Sequence, residues 1–317
     1  MSTIKAVFAD PHIPARLAIR ETAAPTPAPG EAVVRVAAIS LNRGETRRAL
    51  QTDVVWRPGW DLAGVVEQPA ADGSGPQVGA RVVGLLRSGA WAEQVAVPID
   101  ALAVLPEAVS FAQAATLPVA GLTALYALYK GGSLLNRSVL ITGATGGVGD
   151  FAIQLARLSG ARVVAHVRRA EQVAEVQKLG ANEAVVGDDL SLAPNAGPYD
   201  LIVDSVGSKT LGTALTQLAK GGVCVSLGAS AGAEVTFDAR SFFPVGRTTL
   251  YGFILFEEFG NESAAVGLER LATLIAAGTL QPRISLEAPW TQIADVAQQL
   301  LHRRFPGKAV LHVSAVA

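Results

Sequence analysis

The stretch VLITGATGGVG, residues 139–149, indicates the fold of the middle of this 317-residue chain. The run VLIT predicts a buried strand, and the glycines after it predict a tight turn. Residues 150–160 follow with apolar side chains at helical spacing, so the turn leads directly into a helix. A strand, a glycine-rich turn and a helix in this order are typical of sheets that bind nucleotides.

The spacing of the glycines gives the turn a specific role. Aligned with the pattern G-x-G-x-x-G, residues 144–149 carry Ala144 in place of the first glycine. In such a turn one position reverses the chain, another lets a diphosphate approach main-chain N–H groups, and a third lets helix and strand pack closely. We therefore expect the diphosphate of a dinucleotide beside Thr145, Gly146, Gly147 and Val148.

The residues after the second predicted strand indicate which dinucleotide binds. About 20 positions beyond the glycine turn, an acidic residue would bind the ribose 2′-hydroxyl of NAD, whereas arginine suits a 2′-phosphate. Arg168 and Arg169 occupy this place. A guanidinium binds phosphate with two parallel hydrogen bonds, and a carboxylate would repel it. The sequence therefore predicts NADPH, although two solvated arginines at the start of a helix would look the same.

The regions around the turn alternate between strands and helices. Predicted strands are 139–142, 161–167, 183–186, 199–206, 221–228 and 249–255, and predicted helices are 111–130, 150–160, 170–180 and 209–220. This alternation predicts a parallel sheet covered by helices on both faces. The uncharged run 111–128 contains Pro118 and Gly121 and is rich in alanine, so we predict a buried helix there rather than a membrane span.

Both ends of the chain differ from this middle part. The N-terminal 110 residues contain short strands bounded by turns, at 32–40, 63–68, 78–86 and 91–98. The C-terminal part holds a helix near 264–278 and a strand at 308–313. A chain of this length is expected to form two domains.

Composition excludes several classes of protein. The net charge is −1, with 26 basic and 27 acidic residues that are scattered, so the basic stripe of a nucleic-acid-binding surface is absent from the sequence. One cysteine, Cys224, allows neither a disulfide within the chain nor a four-cysteine zinc site, and we expect it to be a small buried residue. The first ten residues lack an apolar signal core, and we expect a cytoplasmic protein without a membrane partner.

Several motifs in a fixed order resemble one enzyme family. They include AAISLNRGE (37–45), RPGWDLAGVVE (57–67), AATLPVAGLTALYAL (114–128), ITGATGGVGDFAIQLAR (141–157) and FPGKAVLHV (305–313). Together these motifs resemble the zinc-independent quinone oxidoreductase branch of the medium-chain dehydrogenase/reductase superfamily. The resemblance implies an α/β fold in which a Rossmann domain, 118–256, is inserted into a GroES-like, partly open β-barrel domain made of 1–117 and 257–317. The Rossmann domain would hold a doubly wound parallel sheet, and the substrate cleft would lie between the two domains.

The resemblance also implies that no metal takes part. The positions that match the catalytic zinc ligands of zinc-dependent relatives are Asn42, Trp60 and Val119, which do not make a zinc ligand set. Without a Lewis acid, dehydrogenation of an alcohol is not favoured. The chemistry implied is transfer of hydride from NADPH to a quinone or an α,β-unsaturated carbonyl compound.

Site residues follow partly from the resemblance and partly from the ends of the strands. By resemblance, Asn42 and Thr123 are the catalytic residues beside nicotinamide and substrate, Trp60 lines the substrate cleft, and Lys308 lies near the cofactor. Roles as a turn residue, a buried hydroxyl, a core indole and a solvated lysine remain open for these four. Ligands of parallel sheets bind at the carboxyl ends of the strands, so we expect the cofactor to be flanked by Ser205, Val206, Gly207, Leu227, Gly228 and Ala229.

Two other functions remain open. No general acid is evident in the sequence, so a non-catalytic NADPH-binding regulatory or structural protein, like the crystallins of this family, is one alternative. A biosynthetic enoyl reductase, which differs only in substrate, is the other. By resemblance, we expect two subunits to pair into a homodimer through strand 249–255, which would otherwise be an exposed sheet edge.

Overall fold

The computed structural model describes residues 2–190, 197–260 and 262–313. Two compact units make up the chain. The first unit consists of Met1–Leu122 and Phe259–Ala317, and the second unit is Thr123–Glu258. The second unit is therefore an insertion into the first, as a continuous segment between two parts of the other.

The N-terminal part of the chain is mostly β-structure. Its elements are β1 Thr3–Ala9, β2 Leu17–Ala23, β3 Glu31–Ser40, α1 Arg43–Leu50, β4 Asp61–Gln68, β5 Arg81–Leu85, β6 Gln94–Pro98, β7 Leu102–Val104, α2 Phe111–Ala115 and α3 Leu122–Tyr129. Strands β1 and β2 form a separate antiparallel pair. Strand β4 pairs with one side of β3. On the opposite side of β3, the first half of the strand pairs with β6.

The second unit is a parallel sheet with helices between its strands. Its elements are β8 Ser138–Ile141, α4 Gly147–Leu158, β9 Arg162–Val167, α5 Val173–Lys178, β10 Glu183–Val186, β11 Tyr199–Asp204, α6 Ser208–Leu215, β12 Leu218–Ser226, α7 Ala239–Phe242 and β13 Thr249–Gly252. The strand order is β10-β9-β8-β11-β12-β13, and every pair is parallel. The order reverses between β8 and β11, which is where such sheets bind their ligands.

The C-terminal part completes the sheet of the first unit. Its elements are α8 Ala264–Ala276, β14 Ile284–Pro289, α9 Ile293–Leu301 and β15 Lys308–His312. Strand β15 pairs with the last residues of β3, so the sheet has the order β14-β15-β3-β4-β5-β7. The core of this unit is apolar, with Val34, Ile39, Leu62, Trp91 and Leu311 all buried. Strand β3 therefore pairs with strands from both the N-terminal and the C-terminal part of the chain, and these strands share one core.

The sequence-based expectation was wrong for two helices. The single helix predicted over 111–130 is broken into α2, a π-helical turn at Leu117–Gly121, and α3. Pro118 lacks the N–H that a continuous helix would need, which explains the break. The helix predicted over 209–220 ends at Leu215, and the chain from Leu218 belongs to β12, where Leu218 lies beside Tyr199 of β11. Leu218 has the spacing of a helical core residue but is buried by the sheet instead.

Within the described ranges, no helix combines the length and the apolar character that a membrane crossing requires. The uncharged run 111–128 is divided among three short helical segments.

Candidate functional site

The glycine turn between β8 and α4 is built so that its backbone lies unusually close to its neighbours. Gly143 has a φ of +61°, and a Cβ there would collide with the Ser205 hydroxyl. At Gly149 a Cβ would lie 2.5 Å from the carbonyl oxygen of Gly143 and 2.7 Å from Cα of Ala144. At Gly146 the nearest atom is 3.3 Å away, and this residue is exposed. Gly143 and Gly149 therefore shape the turn, whereas Gly146 is the exposed glycine, at which a Cβ would make a single tight contact with the turn.

Helix α4 begins immediately after this turn. The first helical hydrogen bond runs from the N–H of Asp150 to the carbonyl of Gly146 at 2.9 Å. By position, the N–H groups of Gly147, Val148 and Gly149 have no acceptor inside the helix. Such a helix start favours a negatively charged group, both through these N–H groups and through the helix dipole. The residues expected to bind a diphosphate therefore lie at a suitable helix terminus.

A buried carboxylate joins the glycine turn to the neighbouring strand. Thr142 Oγ1 donates to Asp204 Oδ1 at 2.6 Å, and the N–H of Gly207 donates to Asp204 Oδ2 at 2.9 Å. The N–H of Ser205 donates to Thr142 Oγ1 at 3.2 Å. Burial raises the pKa of Asp204 above its usual value, against the lowering effect of the hydrogen bond from Thr142. Asp204 was not among the predicted site residues, although an acidic residue at the end of an apolar strand is a signal that the sequence shows.

The loops after β11 and β12 lie side by side at the carboxyl edge of the sheet. The N–H of Leu227 donates to the carbonyl of Asp204 at 2.9 Å, and the N–H of Ala231 donates to the carbonyl of Val206 at 2.8 Å. Gly228 packs so closely that a Cβ would lie 3.0 Å from the carbonyl oxygen of Ser205. The structure thus brings together the residues expected to flank the cofactor, namely Ser205, Val206, Gly207, Leu227, Gly228 and Ala229.

The two arginines that follow β9 have different surroundings. Both are exposed, but Arg169 pairs with Glu171 at 2.9 Å, whereas no ion pair of Arg168 is found among the described residues. His166, two residues before Arg168, is buried, and burial lowers the pKa of its imidazole below the usual value. His166 Nε2 donates to the carbonyl oxygen of Gly187 at 2.9 Å. Arg168 is the arginine available for an anion.

Thr123 is the first residue of the second unit and lies in the first turn of α3. Its side chain is buried, with 6% of the residue exposed.

A polar cluster lies in the core of the first unit, where three segments meet. Asn42 caps the start of α1, Asp61 begins β4, and Lys308 begins β15. Lys308 Nζ donates to Asn42 Oδ1 at 2.6 Å and lies 3.3 Å from Asp61 Oδ2. Asn42 Nδ2 in turn donates to Asp61 Oδ2 at 2.8 Å. The structure therefore brings two predicted site residues together with an aspartate that was not predicted.

Glu45 completes this cluster from the first turn of α1. Its Oε1 accepts from the backbone N–H of Asn42 at 3.0 Å and from Asn42 Nδ2 at 2.8 Å. Burial raises the pKa of Glu45 well above its usual value, and the negative charge of Asp61 is the second cause of this increase. Asn and Glu three positions apart are a helix-start signal that could have identified this pair from the sequence.

Comparison with known proteins agrees with this arrangement. The family model "Alcohol dehydrogenase GroES-like domain" matches residues 28–107, and the model "Zinc-binding dehydrogenase" matches residues 147–272. A 2-methylene-furan-3-one reductase of Solanum lycopersicum is 28% identical over 300 residues, which are 89% of this chain and 71% of that protein. A chloroplast envelope quinone oxidoreductase homolog of Arabidopsis thaliana is 27% identical over 307 residues, which are 90% of this chain and 91% of that protein.

A solved structure shows the same fold. A mycobacterial protein in complex with NADPH superposes with a TM-score of 0.84 at 25% identity, over 98% of this chain and 99% of that chain. The chain belongs to the medium-chain dehydrogenase/reductase superfamily. Within the superfamily it falls in the quinone oxidoreductase-like branch, and it is an oxidoreductase. Its first unit is the GroES-like domain of the superfamily, and its second unit is the Rossmann domain.

The positions that match the zinc ligands of zinc-dependent members of the superfamily hold other contacts here. Trp60 Nε1 donates to the carbonyl of Arg87 at 3.0 Å, and the Trp60 ring packs over Gly44. Val119 uses its backbone N–H to donate to Asp61 Oδ1 at 3.0 Å. The Asn42 side chain is hydrogen-bonded to Lys308 within the polar cluster. Among the residues that the structure describes, no three His, Cys, Asp or Glu side chains converge as metal ligands.

Proposed function

We propose that this oxidoreductase uses NADPH to reduce quinones or α,β-unsaturated carbonyl compounds, and that it does so without a metal. The observation that carries the proposal is the glycine turn at the start of α4, together with Arg168 at the end of the neighbouring strand, which forms no ion pair with the residues that the structure describes. The similarity to a 2-methylene-furan-3-one reductase and to a quinone oxidoreductase homolog supports the substrate class.

The described residues fit a dinucleotide phosphate. Gly146 is exposed beside the free N–H groups of α4, which is where a diphosphate can approach the main chain. Strands β8 and β9 are adjacent and parallel, so Arg168 lies at the same edge of the sheet as the turn. An arginine at this edge suits the 2′-phosphate of NADPH, and the ion pair of Arg169 with Glu171 leaves Arg168 as the main contact.

When bound, NADPH supplies a hydride equivalent to an electron-poor carbon. The part of the protein is to hold the cofactor and the substrate in a reactive orientation and to exclude water. In the second unit, the loops after β11 and β12 would flank the cofactor, and Thr123 is proposed to lie beside its nicotinamide. In the first unit, Asn42 and Trp60 are proposed to contact the substrate or the ribose. An activated carbon–carbon double bond needs no Lewis acid to accept hydride, which agrees with the contacts of Trp60 and Val119.

The test is oxidation of NADPH, followed by absorbance, with a panel of quinones, enones and enals. We expect turnover with at least one of these classes, and we expect the rate to persist after dialysis against a chelator. Loss of activity on chelation, with recovery on adding zinc, would contradict the metal-free proposal. Turnover with alcohols and NADP⁺ but with no quinone or enone would contradict the substrate class.

A second function is favoured by one feature of the first unit. Asn42 and Lys308 donate their side-chain hydrogens inside the polar cluster, so neither offers a proton to a substrate. This agrees with an NADPH-binding regulatory protein without turnover. Tight binding of NADPH, with no oxidation across the panel, would favour this function. Turnover confined to enoyl thioesters would instead indicate a biosynthetic enoyl reductase.

The edge strand β13 is proposed to pair two subunits. It lies at the end of the parallel sheet, and Leu250 and Ile254 are exposed there, with Phe243 exposed in the segment before it. Apolar side chains along a free strand edge favour pairing with a second copy. We expect a dimeric mass in solution, and a monomeric mass at micromolar concentration would contradict the pairing.

A further inference from the structure

The segment directly before β4 lies beside the segment directly after β5. The N–H of Leu86 donates to the carbonyl of Trp60 at 2.9 Å, and Ser88 Oγ donates to the carbonyl of Arg57 at 2.5 Å. The second segment therefore holds the backbone of both Arg57 and Trp60 in place.

The side chains of Arg57 and Trp60 donate to the same short loop. Trp60 Nε1 donates to the carbonyl of Arg87 at 3.0 Å, and Arg57 Nη2 donates to the carbonyl of Gly89 at 3.4 Å. Residues two positions apart in a chain are separated by at most about 7 Å. Arg57 is therefore close to Trp60, the residue proposed to contact the substrate.

The Arg57 guanidinium is half-buried and has few acceptors. Its Nε is buried without a hydrogen-bond partner among the described residues, and the long bond to Gly89 is the one side-chain hydrogen bond found for it there. Burial is the one cause found for the lowered pKa of Arg57, so no carboxylate of the described residues lies close enough to oppose this effect. Because a guanidinium carries five N–H groups, most of them remain for solvent or for a ligand.

Arg81 shows how the same unit satisfies an arginine that has a structural role. It is also half-buried, and it donates to the backbone carbonyls of Pro106, Glu107 and Val109. Arg57 has one long bond where Arg81 has three bonds. The difference indicates that the protein itself does not complete the surroundings of Arg57.

Two indoles near Arg57 show the same shortage of acceptors. Trp56 directly precedes it, and the backbone N–H of Trp91 donates to the carbonyl of Pro58 at 3.4 Å. The Nε1 atoms of both tryptophans are buried without a hydrogen-bond partner within the described ranges. An indole nitrogen is a donor only, so neither can accept from the guanidinium. This part of the first unit therefore lacks acceptors, which an anionic group would supply.

We propose that Arg57 binds a carboxylate of the substrate, so that this oxidoreductase prefers quinones or enones that carry an acidic side chain. The inference rests on the proposed function, in which Trp60 contacts the substrate. A carboxylate accepts two parallel hydrogen bonds from a guanidinium and supplies a counter-ion for its charge. Arg57 then determines which substrates bind, and it takes no part in the transfer of hydride.

The direct test compares two substrates with the same reacting ring. They are a 1,4-benzoquinone with a propionate side chain and the methyl ester of this compound. We expect kcat/KM of the wild-type protein, measured with NADPH, to be about tenfold higher for the acid, which is the usual effect of one charged hydrogen bond. Equal values for the acid and the ester would overturn the proposal.

Variants then assign this preference to Arg57. Arg57→Gln should lower kcat/KM for the acid to that of the ester and leave the ester unchanged. Arg57→Lys should keep part of the preference, because it retains the charge but not the planar pair of donors. Arg47→Gln is the matched control, since it removes one positive charge from an exposed position of the same unit. A preference that survives in Arg57→Gln, or that Arg47→Gln also removes, would overturn the assignment.

Thermal unfolding separates binding from a structural role of the guanidinium. Arg57→Met removes a half-buried charge for which the described residues provide no counter-ion, so we expect its Tm to equal or exceed that of wild type. Arg81→Met is the comparison variant, which loses three hydrogen bonds to carbonyls and should unfold about 3 °C lower. An Arg57→Met protein destabilised as much as Arg81→Met would overturn the proposal.

Binding without turnover distinguishes this proposal from the proposed function. Calorimetry with and without NADP⁺ should give a Kd about tenfold lower for the acid than for the ester, and Arg57→Gln should remove this difference. If neither compound is reduced but the difference in Kd is found, the proposed function fails and the carboxylate site stands. Inorganic phosphate is the probe for a site that holds a free anion. A Tm raised by phosphate in wild type but not in Arg57→Gln, with equal Kd values for acid and ester, would overturn the assignment to the substrate.

Discussion

Replacement of Gly149 by alanine tests how the glycine turn is built. The added Cβ would lie 2.5 Å from the carbonyl oxygen of Gly143 and 2.7–2.8 Å from backbone atoms of Ala144. All three neighbours are main-chain atoms of the turn, so no flexible side chain can move aside. The turn or the start of α4 must shift instead.

The expected magnitude follows from two opposing effects. Overpacking in a closely packed site costs about 1–3 kcal/mol, and contacts this short with backbone place Gly149→Ala near the upper end. Alanine is preferred to glycine inside a helix by up to ~1 kcal/mol, which offsets part of this cost. We therefore expect a net loss of about 2 kcal/mol, or a decrease in Tm of roughly 3 °C, because a chain of 317 residues shifts by ~1.5 °C per kcal/mol.

The assay combines thermal unfolding with titration of NADPH. A displaced turn also moves the N–H groups at the start of α4, so we expect affinity for NADPH to fall at least ~10-fold, or ~1.4 kcal/mol. Gly146→Ala is the matched variant in the same turn, because its Cβ would lie 3.3 Å from the nearest atom. It should lower the Tm less than Gly149→Ala does, because its Cβ makes one tight contact instead of three shorter ones, but it should weaken NADPH binding, since the methyl group is added at an exposed position of the turn.

Gly260→Ala serves as the neutral control, because no atom lies within 4 Å of the position of its Cβ. It should change neither the Tm nor the affinity. If Gly149→Ala kept both the wild-type Tm and the wild-type affinity, the close packing of the turn and its role in binding would both be refuted.

Two other substitutions test separate parts of the account. Glu45 has a pKa in the folded protein well above its ordinary value of 4.5, so its contribution to stability is present below that value and is lost as pH rises towards the folded pKa. Glu45→Gln, which mimics the protonated acid, should therefore gain stability relative to wild type as the pH rises above 4.5 in urea unfolding, and a difference that does not change with pH would contradict the raised pKa of Glu45. Leu250→Glu places a charge on the exposed edge strand β13, so we expect it to convert a dimer to a monomer in light scattering, and an unchanged dimeric mass would place the interface elsewhere.

The parallel sheet could be predicted from the sequence because its strands are short apolar runs. The strand predicted at 183–186 has the same bounds in the structure, and those predicted at 139–142 and 161–167 differ by one residue at one or both ends. Burial on both faces makes such strands uniformly apolar, and glycines separate them from the helices. Local pattern and tertiary environment therefore agree in this part of the chain.

The breaks in the helical regions were harder to predict. The run 111–128 is uncharged throughout and mostly apolar, so its pattern shows no clear interruption, although Pro118 divides it into separate helical segments. At Leu218 the spacing favours a helix, but the pairing of β12 with β11 determines the structure. Pairing with a neighbouring strand therefore overrides the local preference of this segment for a helix.

The polar cluster of the first unit could be predicted only in part. Asn42 and Lys308 were expected near the site by resemblance, but the partners of Lys308 lie at Leu41 and Asp61, far away in the sequence. Lysine side chains are mostly exposed in proteins. Lys308 is buried because these partners accept hydrogen bonds from its ammonium group. No local pattern reports such long-range pairing, which is why Asp61 was missed.

The central claim is that a dinucleotide phosphate binds at the glycine turn with its 2′-phosphate held by Arg168. Its most direct test is a comparison of the dissociation constants of NADPH and NADH for the wild-type protein, Arg168→Gln and the matched control Arg169→Gln. A hydrogen-bonded ion pair of this kind contributes about 1.5–3 kcal/mol, so wild type should bind NADPH roughly 10- to 100-fold more tightly than NADH. Arg168→Gln should remove most of this preference without weakening NADH binding, and Arg169→Gln should largely retain it. Equal affinities in the wild-type protein, or a preference for NADH, would contradict the account.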